Sequence, residues 1–484
     1  MRVAVAVHLA SVLLLGFAAA MAVPLAVSLA LDDGAGGAYH LAILATAATG
    51  AVGYRASRGR APELRPRDGF LFVVLVWTVF PVFGALPLLA AVPQLSFTDA
   101  YFEAMSGLTA TGATVLSGLD ALPRSINFWR CALQWLGGMG VIVLAVAVLP
   151  ILGVGGRQLL KAETPGPMKE TQLTPRIAET AKGLWLIYAG LTAACALAYW
   201  AAGMDALEAV MHAFTTLSLG GFSPHDASFA HWRSPAIEAV AIAFMFVAGI
   251  NFFTHFAALY RASFLAYRRD AELRGYFALL AASVAAVTGY LLAHGVYADW
   301  QEALRHAAFN VVSIATTTGY ASADYGAWPL FAPLWMLFIS SFATCSGSTG
   351  GGIKMMRALL MLRQAQRELE RLIHPHALIP VKLGGGVVEN RVIFAVLAYM
   401  LIYGATIAGI TLLLAATGLD ILTALSAAAA CVNNVGPGLA EVGPAANYAG
   451  LGDFQTWILS FAMLLGRLEL LTVFVLLTPA FWRG

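Results

Sequence analysis

Apolar residues run along this chain in blocks of about twenty nearly uncharged positions, long enough to cross hydrocarbon at ~1.5 Å per residue. Ten such segments lie near residues 3–31, 39–54, 69–92, 127–153, 183–202, 234–260, 276–295, 330–372 (interrupted), 391–417 and 455–480. The pattern predicts an all-α polytopic membrane protein. The first segment is long for a signal peptide and another follows it closely. It reads as a retained anchor, with cleavage after Ala18-Ala19-Ala20 the lesser alternative.

The polar positions between segments are uneven, and short cytoplasmic loops hold excess Lys and Arg. Arg55, Arg58, Arg60, Arg65 and Arg67 crowd the second connection, and Arg157, Lys161, Lys169, Arg176 and Lys182 the fourth. Arg261, Arg268, Arg269 and Arg274 follow the sixth span, and Arg357, Arg363, Arg367, Arg371 and Lys382 the eighth. The alternate connections carry only Arg124 and Arg130, then Arg233, then Arg305, then none between 418 and 455. This alternation predicts that both termini are cytoplasmic.

The basic-poor outer connections share a plan: a short apolar stretch, then a small or polar run ending in glycine. They read GLTATGAT at 107–114, TTLSLGGFS at 215–223, IATTTGYA at 314–321 and CVNNVGPG at 431–438. Their key glycines are Gly112, Gly220, Gly319 and Gly436, separated by 108, 99 and 117 residues. One Thr-x-Gly in an outer loop is an ordinary turn. Four at matching topological positions are a fourfold repeat of span, re-entrant loop, span. The expected units are 69–182, 183–274, 275–389 and 390–484, after an N-terminal pair of spans at 1–68.

Composition narrows the chemistry. Charged residues make up 11% and hydrophobic ones 60% of the 484, against ~25% charged in soluble domains. The net charge of +2 gives no reason to expect nucleic acid as a partner. Cys131, Cys195, Cys345 and Cys431 are scattered without metal or disulfide spacing. Non-helical backbone at membrane depth is tolerated only inside protein or beside a water-filled cavity. Four loops about one axis satisfy that by aiming carbonyls at a central cation. Glycine permits the geometry, and each preceding short helix turns its negative carbonyl end toward the axis.

On these four loops the chain resembles the Trk-type potassium uptake proteins, the TrkH/TrkG/KtrB and plant HKT superfamily, over almost its whole length from about Gly69. The first two spans resemble the extra N-terminal pair of the TrkH branch. The resemblance implies K+ as the transported ion, no organic cofactor, and a filter of main-chain oxygens. Carried over, these are Ala110, Thr111 and Gly112; Ser218, Leu219 and Gly220; Thr317, Thr318 and Gly319; and Asn434, Val435 and Gly436. Leu219 stands where the family pattern Ser-Thr-Gly-Gly-Phe-Ser has threonine, which a backbone ligand survives and a hydroxyl ligand does not. The resemblance further implies a bacterial inner (plasma) membrane location and a homodimer. It also implies a cytoplasmic nucleotide-binding regulatory subunit, TrkA-like, against the basic inner face. Channel-like movement and proton- or sodium-coupled symport both remain open, as does uptake of another monovalent cation such as sodium.

Arg467, in GRLEL within an apolar span, costs at least ~2.5–3.5 kcal/mol at the bilayer centre and must face protein or water. Glu469, two residues on, points elsewhere on the helix and is a poor partner. In the family the matching arginine lies below the filter and opposes cation passage; a purely structural pairing is the alternative. His374 and His376 read as solvated surface, and His212 as a packing residue. Asp120, Asp226 and Asp324 follow the first three loops and read equally as a cation-attracting vestibule or a solvated rim.

CSGSTGGGIK, 345–354, looks at first like a phosphate-binding loop, but Ile353 precedes Lys354, Met355 replaces the hydroxyl, and an apolar span precedes it. No paired acids or histidine cluster point to an enzyme. Counting helical rise from Pro333 and Thr456 puts Cys345 and Arg467 at similar depth, ~17–18 Å inward. The family's intramembrane gating loop falls at this position. The expectation is therefore a gate formed by Gly347, Gly350, Gly351, Gly352 and Lys354 with Arg467 as its partner, against the alternative of a mere kink.

Overall fold

The computed structural model describes residues 3–58, 66–140, 177–260, 262–384 and 386–483. Helices α1 (Val3–Ala20) and α2 (Ala22–Leu31) are followed by α3 (Gly36–Ser57), which packs back along α1. Glycines set that close approach: a Cβ at Gly53 would lie 2.3 Å from Ser11 Oγ.

From α4 onward a long helix, a short helix and an extended loop follow one another four times, each time leading into a further helix, which is interrupted in the last three units and described only as far as Gly140 in the first. The first unit is α4 (Pro66–Gly84) with α5 (Leu86–Ala91), short α6 (Phe97–Leu108), and α7 (Arg124–Trp135), which runs into a π-helical turn at Leu136–Gly140. The second is α8 (Ile177–Ala201), short α9 (Ala206–Leu217), α10 (Pro235–Ala248) and α11 (Phe252–Tyr260). A link, α12 (Leu265–Arg269), leads to α13 (Ala271–Ala293), short α14 (Trp300–Ala315), α15 (Phe331–Ser340) and α16 (Met355–Ile373). An antiparallel hairpin, β1 (Lys382–Leu383) and β2 (Gly386–Val387), precedes the fourth unit. That unit is α17 (Asn390–Ala416), short α18 (Ile421–Val432), α19 (Asp453–Arg467) and α20 (Leu471–Phe474).

The short helices start alike. Ser96, Asp205, Asp299 and Asp420 occupy their N-caps. Ser96, Asp299 and Asp420 accept first-turn backbone N–H groups, whereas Asp205 pairs with Arg124 at 2.6 Å. Oxygen at the positive end of the dipole stabilises each start and leaves the carbonyl end for the loop.

Two of the helices that follow the loops bend sharply. α10 and α11 meet at 87°, and α19 bends 105° against the helical stretch Leu471–Leu477. Gly249 permits the first break, since a Cβ there would lie 2.3 Å from Tyr276 Oη. Left-handed Glu469 and Leu470 (φ 54° and 48°) make the second.

Among the described residues, five helices are long and apolar enough to cross a membrane, or up to seven if each bent pair is one span. The expected segment at 39–54 is α3, and that at 330–372 is α15 and α16. The segment at 127–153 is described only as far as Gly140, and Arg60, Arg65, Arg157, Lys161, Lys169, Arg176 and Arg261 lie outside the described residues. Exposed Leu41, Leu44, Leu186, Leu197, Leu401 and Leu412 give the long helices an apolar exterior suited to lipid. Both arginines assigned to the first outer connection lie in α7: Arg124 is its exposed first residue, whereas Arg130 is inside it and 1% exposed.

Candidate cation-binding loops

Each short helix ends in the same turn. The residue after its C-cap is left-handed without being glycine: Ala110 (φ 51°), Leu219 (54°), Thr317 (63°) and Asn434 (55°). The next residue donates its N–H back five positions, from Thr111 to Ser106, Gly220 to Thr215, Thr318 to Ser313 and Val435 to Ala430, at 2.8–2.9 Å. This is the Schellman closure, normally built on glycine. Left-handed geometry costs L-residues ~1–2 kcal/mol each, and four repetitions mark a backbone held to one shape by its surroundings.

The residue after that is a left-handed glycine: Gly112 (φ 88°), Gly221 (80°), Gly319 (86°) and Gly436 (97°). The second loop therefore departs from expectation. Gly221 holds the place assigned to Gly220, and Gly220 matches Thr111, Thr318 and Val435. Gly220 is small for another reason, because a Cβ there would lie 2.4 Å from Gln134 Cδ.

The four glycines close a ring. A Cβ on Gly112 would meet Gly220 O at 2.3 Å, one on Gly221 would meet Thr318 O at 1.9 Å, one on Gly319 would meet Val435 O at 2.0 Å, and one on Gly436 would meet Thr111 O at 2.7 Å. Each loop thus lays the carbonyl before its glycine against the glycine of a neighbour, in the order one, two, three, four and back to one. The sequence-predicted residues are brought together, and Ala110, Leu219, Thr317 and Asn434 are all at most 2% exposed. Among the described residues, no protein donor reaches the carbonyls of those four. Two other carbonyls are taken: Gln134 donates to Gly220 O at 2.6 Å and Tyr448 Oη to Gly436 O at 2.7 Å.

Side chains outside the loops fix their positions. Gln134 Oε1 also accepts from Phe222 N at 3.0 Å, so one amide holds both sides of the second loop. Arg130 pairs with Glu103 of α6 at 2.7 Å and donates to Ser223 O, while Glu103 accepts from Thr114 Oγ1 and Val115 N. Removing one member of such a buried pair strands the other's charge. Asn434 Nδ2 reaches Thr111 Oγ1 at 2.9 Å, tying the fourth loop to the first. Sequence reasoning missed these supports, although a charged residue and an amide inside WRCALQW were the available signal. His212 is a packing residue between Glu208 O and Ser223 Oγ.

Beneath the ring, residues 341–354 separate α15 from α16, a longer interruption than the glycine run alone. Gly347, Gly352 and Lys354 are left-handed, with φ of 74°, 76° and 80°. The loop lies directly under the turns: Thr349 Oγ1 donates to Leu217 O at 2.9 Å and Gly351 N to Thr317 Oγ1 at 2.8 Å. Gly350 and Gly351 allow this approach, since Cβ atoms there would stand 3.0 Å from Thr316 O and 2.0 Å from Asn433 O. Arg467 Nη1 donates to Thr349 O at 2.9 Å and Nη2 to Gly137 O and Gly138 O. Lys354 Nζ, buried, donates to Gly350 O. Glu272 accepts from Ser346 N and Met356 N, and Cys345 N donates to Gly249 O in the break of the second unit. Glu469 pairs with Arg357 at 2.7 Å rather than with Arg467.

On the outer side the three aspartates are structural partners within the rim. Asp226 accepts from Leu119 N, Asp324 from Gly326 N, and Asp120 from His225 and from Asp226 N. Burial raises the Asp120 carboxyl, but the hydrogen bond from His225 and the one from Asp226 N outweigh it and leave its pKa lowered.

Known proteins match the chain over nearly its whole length. The family model TrkH, described as a cation transport protein, matches residues 38–483. The chain is 46% identical over 481 residues to the Trk system potassium uptake protein TrkH of Vibrio parahaemolyticus, covering 99% of each. It is 40% identical over 424 residues to the Trk system potassium uptake protein TrkG of Escherichia coli, covering 87% of each. The crystal structure of the potassium transporter TrkH from Vibrio parahaemolyticus matches with a TM-score of 0.90 at 43% identity, covering 100% of both chains.

Proposed function

The chain belongs to the TrkH cation transport family, and we propose that it takes up potassium through a pore whose filter is the ring of four loops. The observation that carries this reading is the cyclic glycine-to-carbonyl contact, together with the buried carbonyls of Ala110, Leu219, Thr317 and Asn434 that accept no hydrogen bond from the described residues. Buried acceptors nearly always have a partner. A dehydrated monovalent cation is a partner of the right charge, and a ring of carbonyls replaces its water. Only backbone oxygens are needed, so Leu219 in place of threonine is no obstacle. The helix ends of α6, α9, α14 and α18 add partial negative charge on the same side.

Residues 341–354 act as the gate, seated against the inner side of the turns and latched by Arg467. The cationic latch itself opposes passage, so an open state requires both to move. A cytoplasmic nucleotide-binding subunit is the partner expected to drive that movement, and a homodimer in the bacterial inner membrane, with both termini cytoplasmic, is the working assembly.

The test is rubidium flux into liposomes holding the purified protein, with sodium and lithium as competitors. Rubidium should enter and outcompete both, and Gly112→Asp or Gly319→Asp should abolish entry. Undiminished flux in those variants would remove the filter from the ring.

A further inference from the structure

Three side chains with metal-ligand chemistry converge on the outer rim, away from the ring and the gate. Asp120, His225 and His231 each offer one ligand atom, and these lie within 4.8 Å of one another. We propose that they form a binding site for a transition-metal dication of zinc type, joining the rim of the first unit to that of the second. The donor set of two imidazoles and one carboxylate suits zinc and its neighbours rather than magnesium or calcium.

The arrangement is partly built. The His225 and His231 rings stack at 3.6 Å and 11°. His225 Nδ1 already meets Asp120 Oδ1, while its Nε2 faces Glu208 Oε1 at 3.4 Å. A carboxylate behind a histidine is the outer support that fixes the tautomer of a metal-bound imidazole. Arg124 reaches that carboxylate at 3.7 Å, not the three ligands. The His225 side chain is 11% exposed and Asp120 51%, and His231 is also exposed, so one ligand is fixed and two are able to move. His231 must close in and Asp120 must draw back from its direct contact with His225, because donors on a tetrahedral zinc stand about 3.3 Å apart at ~2.0–2.1 Å bonds.

The rim location gives the site a consequence. Asp120 follows Gly112 by eight residues and His225 follows Gly221 by four. A bound dication adds positive charge beside the outer entrance and repels incoming cations. External zinc therefore slows uptake, a consequence that rests on the pore reading, whereas binding does not.

The experiment titrates zinc chloride into the full-length protein in detergent by calorimetry, then measures rubidium flux with zinc outside the liposomes. One zinc per chain should bind at micromolar concentration, with millimolar magnesium failing to compete. His231→Gln and Asp120→Asn should each weaken binding at least tenfold. External zinc should reduce flux several-fold in the wild type and not in His231→Gln, whose flux without zinc is unchanged. Absence of saturable binding, or equal affinity in the variants, overturns the site. Binding without slowed flux overturns the brake alone, and absence of rubidium flux before any zinc is added counts against the pore instead.

Discussion

The ring and the loop beneath it are both non-helical backbone inside a helical bundle, yet they are held in different ways. The ring repeats one turn four times, and its tightest contacts are backbone against backbone, as where Gly221 meets Thr318 O. Residues 341–354 have no counterpart of that length among the described residues of the other units, and side chains hold much of them: Arg467 on Thr349 O, Glu272 on two amides, Thr349 on Leu217 O. A set of contacts between four backbones has no part that can leave alone. The loop is fastened by these side-chain hydrogen bonds and by two backbone ones to the second unit, Cys345 N to Gly249 O and Phe252 N to Gly347 O, none of which belongs to the ring. That difference is the one the proposed roles require of a fixed selector and a movable obstruction.

The two neighbouring glycines of the second loop break the comparison most severely. Gly221→Ala forces a methyl into a backbone carbonyl at a left-handed φ, so rubidium flux should fall about a hundredfold or more. Gly220→Ala meets the amide of Gln134, a side chain that can turn, and flux should fall less. Equal losses would mean that the ring does not depend on backbone contact.

Deleting residues 347–352 should act in the opposite direction, raising rubidium flux about tenfold while sodium discrimination stays as in the wild type. Unchanged flux would reduce the loop to a kink, and lost discrimination would make it part of the filter. Arg467→Gln is milder. Hydrogen bonds to charged groups contribute ~1.5–3 kcal/mol, and losing the latch should raise flux a few-fold, measured in the same liposomes. A fall in flux would show that the arginine supports the open path.

Much of this was legible in the sequence, for identifiable physical reasons. Blocks of apolar residues mark long helices because hydrocarbon imposes their length and composition. Glycine runs mark the loops because left-handed backbone is easiest for glycine. The register of the second loop was not legible: Gly220 and Gly221 are identical letters, and only backbone angles tell them apart. Nor was the break after α19, which uses Glu469 and Leu470 where a glycine signal would be sought. The left-handed Ala110, Leu219, Thr317 and Asn434 share no residue type, since the fold imposes their conformation and their chemistry does not. Arg130 was read as a loop residue because its partner Glu103 lies 27 positions away.

The most direct measurement is the anomalous scattering of rubidium in crystals of the full-length protein grown in rubidium salt. A peak should appear on the axis of the four loops, ringed by the carbonyls of Ala110, Leu219, Thr317 and Asn434, and should vanish when sodium replaces rubidium. A peak elsewhere along the bundle with none at that ring, or one that sodium leaves unchanged, would contradict the assignment of these loops as the selective site.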